Sequence, residues 1–440
     1  MTKKIIKSLA KIMALVLVST MIILLTACFE QEVKKTFPEY EDDREMMIGA
    51  WDAPLSTLED IQIAKDMGLT HMFLDQYHIK RGTKEYEDAL KLYEQVGLKV
   101  IVQTNNAFDQ EAILNDNTDY RDYPAVDFIN YWDEPHYSTI DRVGELVAEH
   151  LATYGEDIMF FGNLLPNTST KRFEGHTFKE YVQKWAELVV EQLPEGQRYL
   201  SVDVYPLQEK NGQPVMRTTW LDAVETVALQ AKKSNAIAHF FLLSTEHYQY
   251  RAISEEDIRF QFYVYMAYGA QAFSYFTYAD SILADFEHAC VSRTQTGKIH
   301  DTYYMAQTVN NEIKKFDHVY LNFEWQGTLP IIGTNNEEGT NGNFEGLDAP
   351  LTSIDVCSRW ESTEDALIGV FQDKDGNDGL IVTNFTDPAL GLYNTVKLEF
   401  NDVSKVRIYR GGVAYDYEIV NNMLKVDLEP GEGVFIILVH

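Results

Sequence analysis

Two adjacent carboxylates, Asp133 and Glu134, end the apolar run Val126-Asp127-Phe128-Ile129-Asn130-Tyr131-Trp132, and Pro135 closes it. Charged side chains are seldom left at the end of a buried strand without a partner or a task. Proline removes a backbone donor and stops a strand there. A carboxyl group so placed suits general acid/base chemistry, its pKa lifted by burial and by a like charge nearby. Glu134 is expected to be the proton donor. Neighbours on a strand point to opposite faces, so Asp133 is expected to bond substrate or to orient Glu134. The plain alternative is a turn carrying two solvated acids.

Such chemistry needs a second carboxylate. Cleavage of a glycosidic bond places one on each side of the scissile bond, one protonated and one ionised. Glu246, in Phe240-Phe241-Leu242-Leu243-Ser244-Thr245-Glu246, is the expected nucleophile, with Asp203 next in line if Glu246 sits on a loop and points away. Other apolar runs end in polar or aromatic residues: Trp51 and Asp52, Asp75, Gln103 and Asn105, Asn163, Asp203 and Tyr205, Tyr275 and Tyr278. Acids and amides bond sugar hydroxyls, and flat rings cover sugar C–H faces. These residues are the expected substrate-binding set, and no lysine or arginine stands among them to favour a phosphate. Tyr205 reads either as a core-edge aromatic or as a hydrogen-bond partner of Glu246, and His247 as a loop residue or a base.

The elements that must position these groups alternate. Short apolar runs at Met46–Trp51, His71–Asp75, Lys99–Thr104, Val126–Glu134, Asp157–Leu165, Tyr199–Tyr205, Ala236–Thr245 and Ala270–Tyr278 are separated by amphipathic helical stretches. Ser56-Thr57-Leu58-Glu59 caps the first helix, Gly97 stops the second, and His300–Phe316 closes the ring. Eight units over roughly 270 residues predict a (β/α)8 TIM barrel across residues 46–316, whose strand C-terminal ends collect the site. A doubly wound sheet is the competing fold. It would usually carry a glycine-rich turn where this chain has Trp51-Asp52-Ala53-Pro54. After Phe316, period-two strands follow one another with turns such as Asp375-Gly376 and Gly411-Gly412 between them. They predict a C-terminal antiparallel β-sandwich over residues 317–440, with a long loop at Ile332–Pro350.

The front of the chain reads differently. Residues 1–27 carry four lysines, an apolar run and small residues before Cys28, which is the pattern of a secretory signal peptide. An uncleaved membrane anchor is the alternative. Residues 28–45 are charged and aperiodic, a tether. The formal charge is −31, and removing a leader with four lysines and no acids takes the mature chain to −35. That acidity argues against a nucleic-acid partner. Cys290 and Cys357 read as isolated buried thiols, and no His/Cys cluster has metal-ligand spacing. No G-x-G-x-x-G or Walker loop is present, so neither a cofactor nor a metal is expected.

Two resemblances extend this reading. Leu25-Thr26-Ala27-Cys28 resembles the lipobox of bacterial lipoproteins, which implies lipidation of Cys28 and attachment to the extracytoplasmic membrane surface. The element order, with Tyr131-Trp132-Asp133-Glu134-Pro135 at strand four, resembles the clan A glycoside hydrolases, the retaining (β/α)8 group. The segments Arg259–Gln261, Ala267–Ala270 and Ser274–Tyr278 are similar to β-galactosidase-like members, including family 42. The resemblance implies an acid/base at Glu134, where Asp133 replaces the usual Asn. It also implies a nucleophile on strand seven and a tyrosine at Tyr205. Two functions stay open: a surface-anchored retaining hydrolase of a β-linked oligo- or polysaccharide, and a non-catalytic carbohydrate-binding lipoprotein on a degenerate barrel. An esterase would need a G-x-S-x-G elbow, which is missing.

Diacylation holds a protein firmly on a bilayer where one chain does not. Cys28→Ser should therefore move the protein from the membrane fraction to the soluble one. A variant that stays as firmly bound as the parent removes the lipobox reading.

Overall fold

The computed structural model describes residues 36–41, 43–52, 57–74, 79–103, 118–280 and 286–440. Eight parallel strands form one sheet: β1 (Met47–Ala50), β2 (His71–Leu74), β3 (Lys99–Gln103), β4 (Val126–Asp133), β5 (Met159–Leu164), β6 (Tyr199–Val202), β7 (Ile237–Leu243) and β8 (Ala272–Phe276). From β2 to β8 each pairs with the next in sequence, and β8 returns to β1. At the remaining seam, between β1 and β2, Thr70 bonds Ile48: its N–H donates to the Ile48 carbonyl, and its Oγ1 accepts from the Ile48 N–H, each at 2.9 Å. The result is a (β/α)8 barrel followed by antiparallel sheets, as the alternation predicts.

The helices follow the expected signals. Thr57 caps α1 (Leu58–Asp66) by accepting from the Asp60 N–H, and Gly97 ends α2 (Lys84–Val96) with a left-handed φ of 73°. Then come α3 (Ile140–Tyr154), α4 (Phe178–Leu188), α5 (Leu221–Lys233), α6 (Glu255–Ala267) and α7 (Asp301–Ile313). Most strands are shorter at their C-terminal ends than the sequence predicts, because the chain turns into the barrel mouth there. Two short antiparallel ribbons also stand at the mouth, Leu207–Lys210 with Gln213–Met216 and Glu246–His247 with Phe286–Glu287. The first has a readable signal that the strand pattern passes over, the Asn211-Gly212 turn with φ of 55° and 72°, whereas the second is too short to read.

The C-terminal part holds two sheets. One orders β9 (Phe323–Ile331), β11 (Ala366–Asp373), β12 (Asp378–Asn384), β17 (Gly433–Val439), β14 (Lys405–Arg410) and β15 (Val413–Glu418). The other joins β10 (Cys357–Ser362), β13 (Asn394–Phe400) and β16 (Met423–Leu428). Their facing sides make one core, with Ile368, Val382, Leu398 and Ile436 among its residues. The outer face of the larger sheet, with Leu367, Phe371, Phe435 and Ile437, joins the barrel core instead.

Helix α6 is the joint. From Phe260 to Ala267 every residue is buried, which suits a helix held between two layers. Three sandwich glycines let it approach. A Cβ at Gly369 would stand 2.4 Å from the Ala267 carbonyl oxygen, one at Gly431 2.2 Å from the Glu256 carbonyl oxygen, and one at Gly433 2.3 Å from Cγ of Tyr263. Arg251 adds a buried clamp, donating to Asp257 at 2.7 Å and to Asp387 of the sandwich at 2.6 and 3.0 Å. Overpacking such a contact costs about 1–3 kcal/mol. Gly433→Ala should lower the urea midpoint accordingly, and an unchanged midpoint would show that α6 and the sandwich are not held in tight contact.

Candidate active site

The mouth of the barrel is set by an irregularity in β4. Asn130 pairs with Phe161 of β5, but the next partners are Trp132 with Gly162 and Asp133 with Asn163, so Tyr131 is the extra residue of a bulge. Tyr131 is turned outward, where its ring stacks on Phe160 and its hydroxyl meets Nδ1 of His150 at 3.0 Å. Gly162 also faces outward, against Trp185 of α4. Phe161 and Asn163 face inward, and the bulge brings Asp133 inward beside Asn163. Simple alternation, which reserves the inward place for Glu134, misses this.

Asp133 and Asp203 meet on one amide. Nδ2 of Asn163 donates to Oδ1 of Asp133 at 3.4 Å and to Oδ1 of Asp203 at 3.2 Å. The two carboxylate oxygens are therefore no farther apart than the sum of those distances. Glu134 follows with a left-handed φ of 53°, uncommon for a residue with a side chain. Its N–H donates to the Asn163 carbonyl at 2.9 Å, and the Pro135 carbonyl accepts from the Tyr181 hydroxyl at 2.8 Å. Arg172, from the turn Thr170–Phe173 after β5, donates to Oε2 of Glu134 at 3.0 Å.

The electrostatics follow from crowding. Burial, then the charge of Glu134, pushes Asp133 up to about 7, against the Asn163 hydrogen bond. Asp203 is driven well above the carboxylate range by burial and then by Glu134 and Asp133. Burial also raises Glu134, but the Arg172 guanidinium opposes it and favours the ionised form. Of the three acids, Asp203 is the best placed to hold a proton.

The remaining sequence-predicted residues are spread more widely. Trp51 packs into the barrel on Phe73 and Phe241, with ring centroids 4.8 and 6.0 Å away. Asp52, also left-handed at φ 70°, is ion-paired with the buried Arg293. Gln103 ends β3, and its carbonyl accepts from Arg81 at 2.9 Å. Tyr205 is buried at the rim, its ring 5.5 Å from Tyr250 and 6.1 Å from Phe276. Tyr275 alternates with the inward Ser274, so it faces out of the barrel and donates to Asn310 of α7 at 2.7 Å. Tyr278 is fully buried. Asp75, Asn105 and Cys28 lie outside the described residues.

Glu246 lies on the second ribbon, its carboxylate 43 % exposed and 2.9 Å from Nδ1 of His288. With Glu287 it makes a group whose ligand-type atoms all lie within 4.8 Å of one another, a spacing a cation could use, although exposed acids often cluster without one. The structure therefore brings Asp133, Glu134, Asn163 and Asp203 together and sets Glu246 in a different hydrogen-bonded group. Sequence reasoning missed Arg172 and Arg293, since both reach the rim from loops rather than from strand ends. It also missed His239, whose only signal is one polar residue inside Ala236-Ile237-Ala238-His239-Phe240-Phe241.

No family model and no curated protein matches the sequence. Solved structures do match the fold. A β-galactosidase from Bacillus circulans sp. alkalophilus aligns with a TM-score of 0.55 at 8 % identity, over 91 % of this chain and 100 % of that one. A candidate α-galactosidase from Bacteroides fragilis aligns at 0.52 and 11 % identity, over 90 % and 79 % of the two chains. A family GH27 β-L-arabinopyranosidase variant from Geobacillus stearothermophilus, solved with arabinose, aligns at 0.51 and 10 % identity, over 91 % and 98 %. These neighbours are glycoside hydrolases on (β/α)8 barrels. At such identities the likeness is one of fold.

The raised acids carry a stability consequence. An unfolded Asp titrates near ~3.9, and folded Asp133 near about 7, so the folded state holds this proton more tightly. Its stabilising contribution is complete below about pH 4 and is lost as pH rises toward 7. Asp133→Asn cannot ionise. It should be more stable than the parent at pH 8, by about 1 kcal/mol or more, and nearly equal to it at pH 4. Thermal denaturation at the two pH values checks this, and a variant less stable at pH 8 would contradict it.

Proposed function

We propose that this chain is a retaining glycoside hydrolase acting on an oligo- or polysaccharide, held at the extracytoplasmic membrane surface by lipid on Cys28. The observation that carries the reading is the meeting of Asp133 and Asp203 on the Asn163 amide. Retaining enzymes hold their two carboxyls about 5–5.5 Å apart, and inverting ones about 6.5–9.5 Å to admit a water. The shared amide limits how far apart the two Oδ1 atoms can stand and accommodates the shorter spacing. A β linkage rests on the strand-four resemblance alone.

In this mechanism Asp203 gives its proton to the glycosidic oxygen while the Asp133 carboxylate attacks the anomeric carbon, and an ester forms as the C–O bond breaks. Asp203, now ionised, takes a proton from water, which attacks the same carbon and releases Asp133. Two acids with one proton between them suit this exchange, because each ionisation opposes the other. Glu134, whose ionised form Arg172 favours against burial, is left to bind sugar hydroxyls at the rim. The fold neighbours named as galactosidases and an arabinopyranosidase support a sugar substrate, and the acidic surface suits an uncharged one.

A second reading keeps Glu134 as the donor, since burial raises it too. Paired substrates with good and poor leaving groups separate the two. Asp203→Asn should lose at least about a hundredfold on poor leaving groups and far less on activated aryl glycosides, and Asp133→Asn should lose on both. If Glu134→Gln shows the leaving-group dependence instead, Glu134 is the donor. A mechanism-based fluorosugar should label Asp133. A label on Glu246 would restore that residue as the nucleophile, and glycan binding without any hydrolysis would leave a carbohydrate-binding lipoprotein.

A further inference from the structure

A line of buried polar groups crosses the barrel beneath the carboxylates. Ser201 of β6 pairs in register with both Asn163 of β5 and His239 of β7. Its Oγ lies 2.8 Å from Oδ1 of Asn163 and 2.7 Å from Nδ1 of His239. On the far side, Nε2 of His239 lies 2.9 Å from Oγ of Ser274 on β8. His239, Ser201 and Ser274 are fully buried, and Asn163 nearly so. Phe161 and Phe241 stand edge-on to the imidazole at 5.4 and 5.2 Å.

Proton counting gives this line a direction. The Ser201 hydroxyl has one proton, and Oδ1 of Asn163 cannot supply one. Ser201 must donate to Asn163, and so accepts from Nδ1–H of His239. Nε2 is then an acceptor for the Ser274 hydroxyl, and the Phe273 carbonyl, which also bonds the ring, competes for its one N–H. Asn163 is left with its NH2 toward Asp133 and Asp203. The reverse arrangement has Nε2–H on His239, Ser201 donating to Nδ1, and the Asn163 amide flipped. That flip would aim a carbonyl oxygen at two carboxylates, which suits only their protonated forms.

We propose that His239 is a positioning residue of the carboxylate site: as the Nδ1–H tautomer it fixes, through Ser201, the Asn163 amide in the orientation that donates to Asp133 and Asp203. The inference rests on the reading of those two acids as the reacting pair. A buried imidazole between two serines stays neutral, since burial holds its pKa down to about 3. The groups that bear on the line are Asp133, Asp203 and Glu134 at the mouth, Arg172 beside Glu134, the Phe273 carbonyl beside the ring, and His71 toward the barrel floor. No metal or cofactor is needed. The arrangement lets the site hold one acid ionised, because two N–H bonds from a single fixed amide stabilise charge on either.

The test uses the intact protein labelled with 15N-histidine and 13C-aspartate, so it does not depend on knowing the substrate. The His239 signal is identified by its loss in His239→Gln. Its nitrogens should report the neutral Nδ1–H tautomer without titration from pH 5 to 9. In Ser201→Ala the amide loses its anchor, and the Asp133 carboxyl midpoint should rise by about one pH unit, while Ser201→Thr keeps the hydroxyl and should restore it. Packing alone would move neither tautomer nor midpoint. An Nε2–H tautomer in the parent, or an Asp133 midpoint unmoved in Ser201→Ala, overturns the proposal. Loss of the reading on which this rests shows elsewhere: the parent would bind glycans without hydrolysing them, or Asp133→Asn and Asp203→Asn would leave glycoside turnover intact, whatever the histidine reports.

Discussion

A single amide nitrogen shared by two carboxylates is the constraint on which the site depends. Two charges that close repel, and burial penalises each ionisation again. The arrangement is tolerable only if one acid keeps a proton and the other receives hydrogen bonds. Asn163 supplies them, and its own orientation must then be fixed, because an amide turned the other way would repel whichever acid is ionised. The polar line through Ser201 and His239 is thus the buried counterpart of the acid pair. Such lines are costly where they are incomplete, and here each member from Ser274 to Asp203 has a partner.

Much of the fold was legible because it is periodic. Apolar runs, capping residues such as Thr57 and stops such as Gly97 repeat with the units they bound, and the change from alternating strands and helices to strands alone marks the second architecture. The site was legible only in composition. Asp133, Glu134, Asn163 and Asp203 stand at strand ends, as the pattern suggests, but their roles turn on one extra residue in β4. A bulge reverses every inward and outward assignment beyond it. Nothing in Asn130-Tyr131-Trp132-Asp133 announces it, since all four residues suit either face. Glu246 shows the opposite difficulty. Its distance along the chain from β7 was readable, but the two-residue ribbon that turns it toward His288 was not.

Cations were missed for a related reason. In a chain this acidic, arginines at a barrel mouth matter more than their number suggests. Arg172 and Arg293 each pair with one acid, Glu134 and Asp52. Both acids have left-handed backbones, so each carboxylate sits at a fixed turn rather than on the regular strand. The mouth is thereby sorted into neutralised acids at the rim and an unneutralised pair at the centre. Burial raises all three acids, and at the central pair the charge of Glu134 adds to it.

The sandwich belongs to the same argument. Its glycines seat α6, and α6 reaches back to the ends of the two strands behind the site. Gln261 accepts from the Leu243 N–H at 2.7 Å and donates to the Leu243 carbonyl at 3.2 Å, closing the end of β7. The Tyr265 hydroxyl donates to the carbonyl of Val204, the residue after Asp203, at 2.5 Å. A carboxylate pair sharing one nitrogen tolerates little drift, because a shift of an ångström in Asp203 would break the bond that sets its charge. Strand β6 ends at Val202, so Asp203 and Val204 lie past the last ladder bonds of the barrel. Tyr265 substitutes for those bonds, and the sandwich keeps Tyr265 in place. The C-terminal sheets therefore act on the site at a distance, through a helix whose buried faces touch both domains.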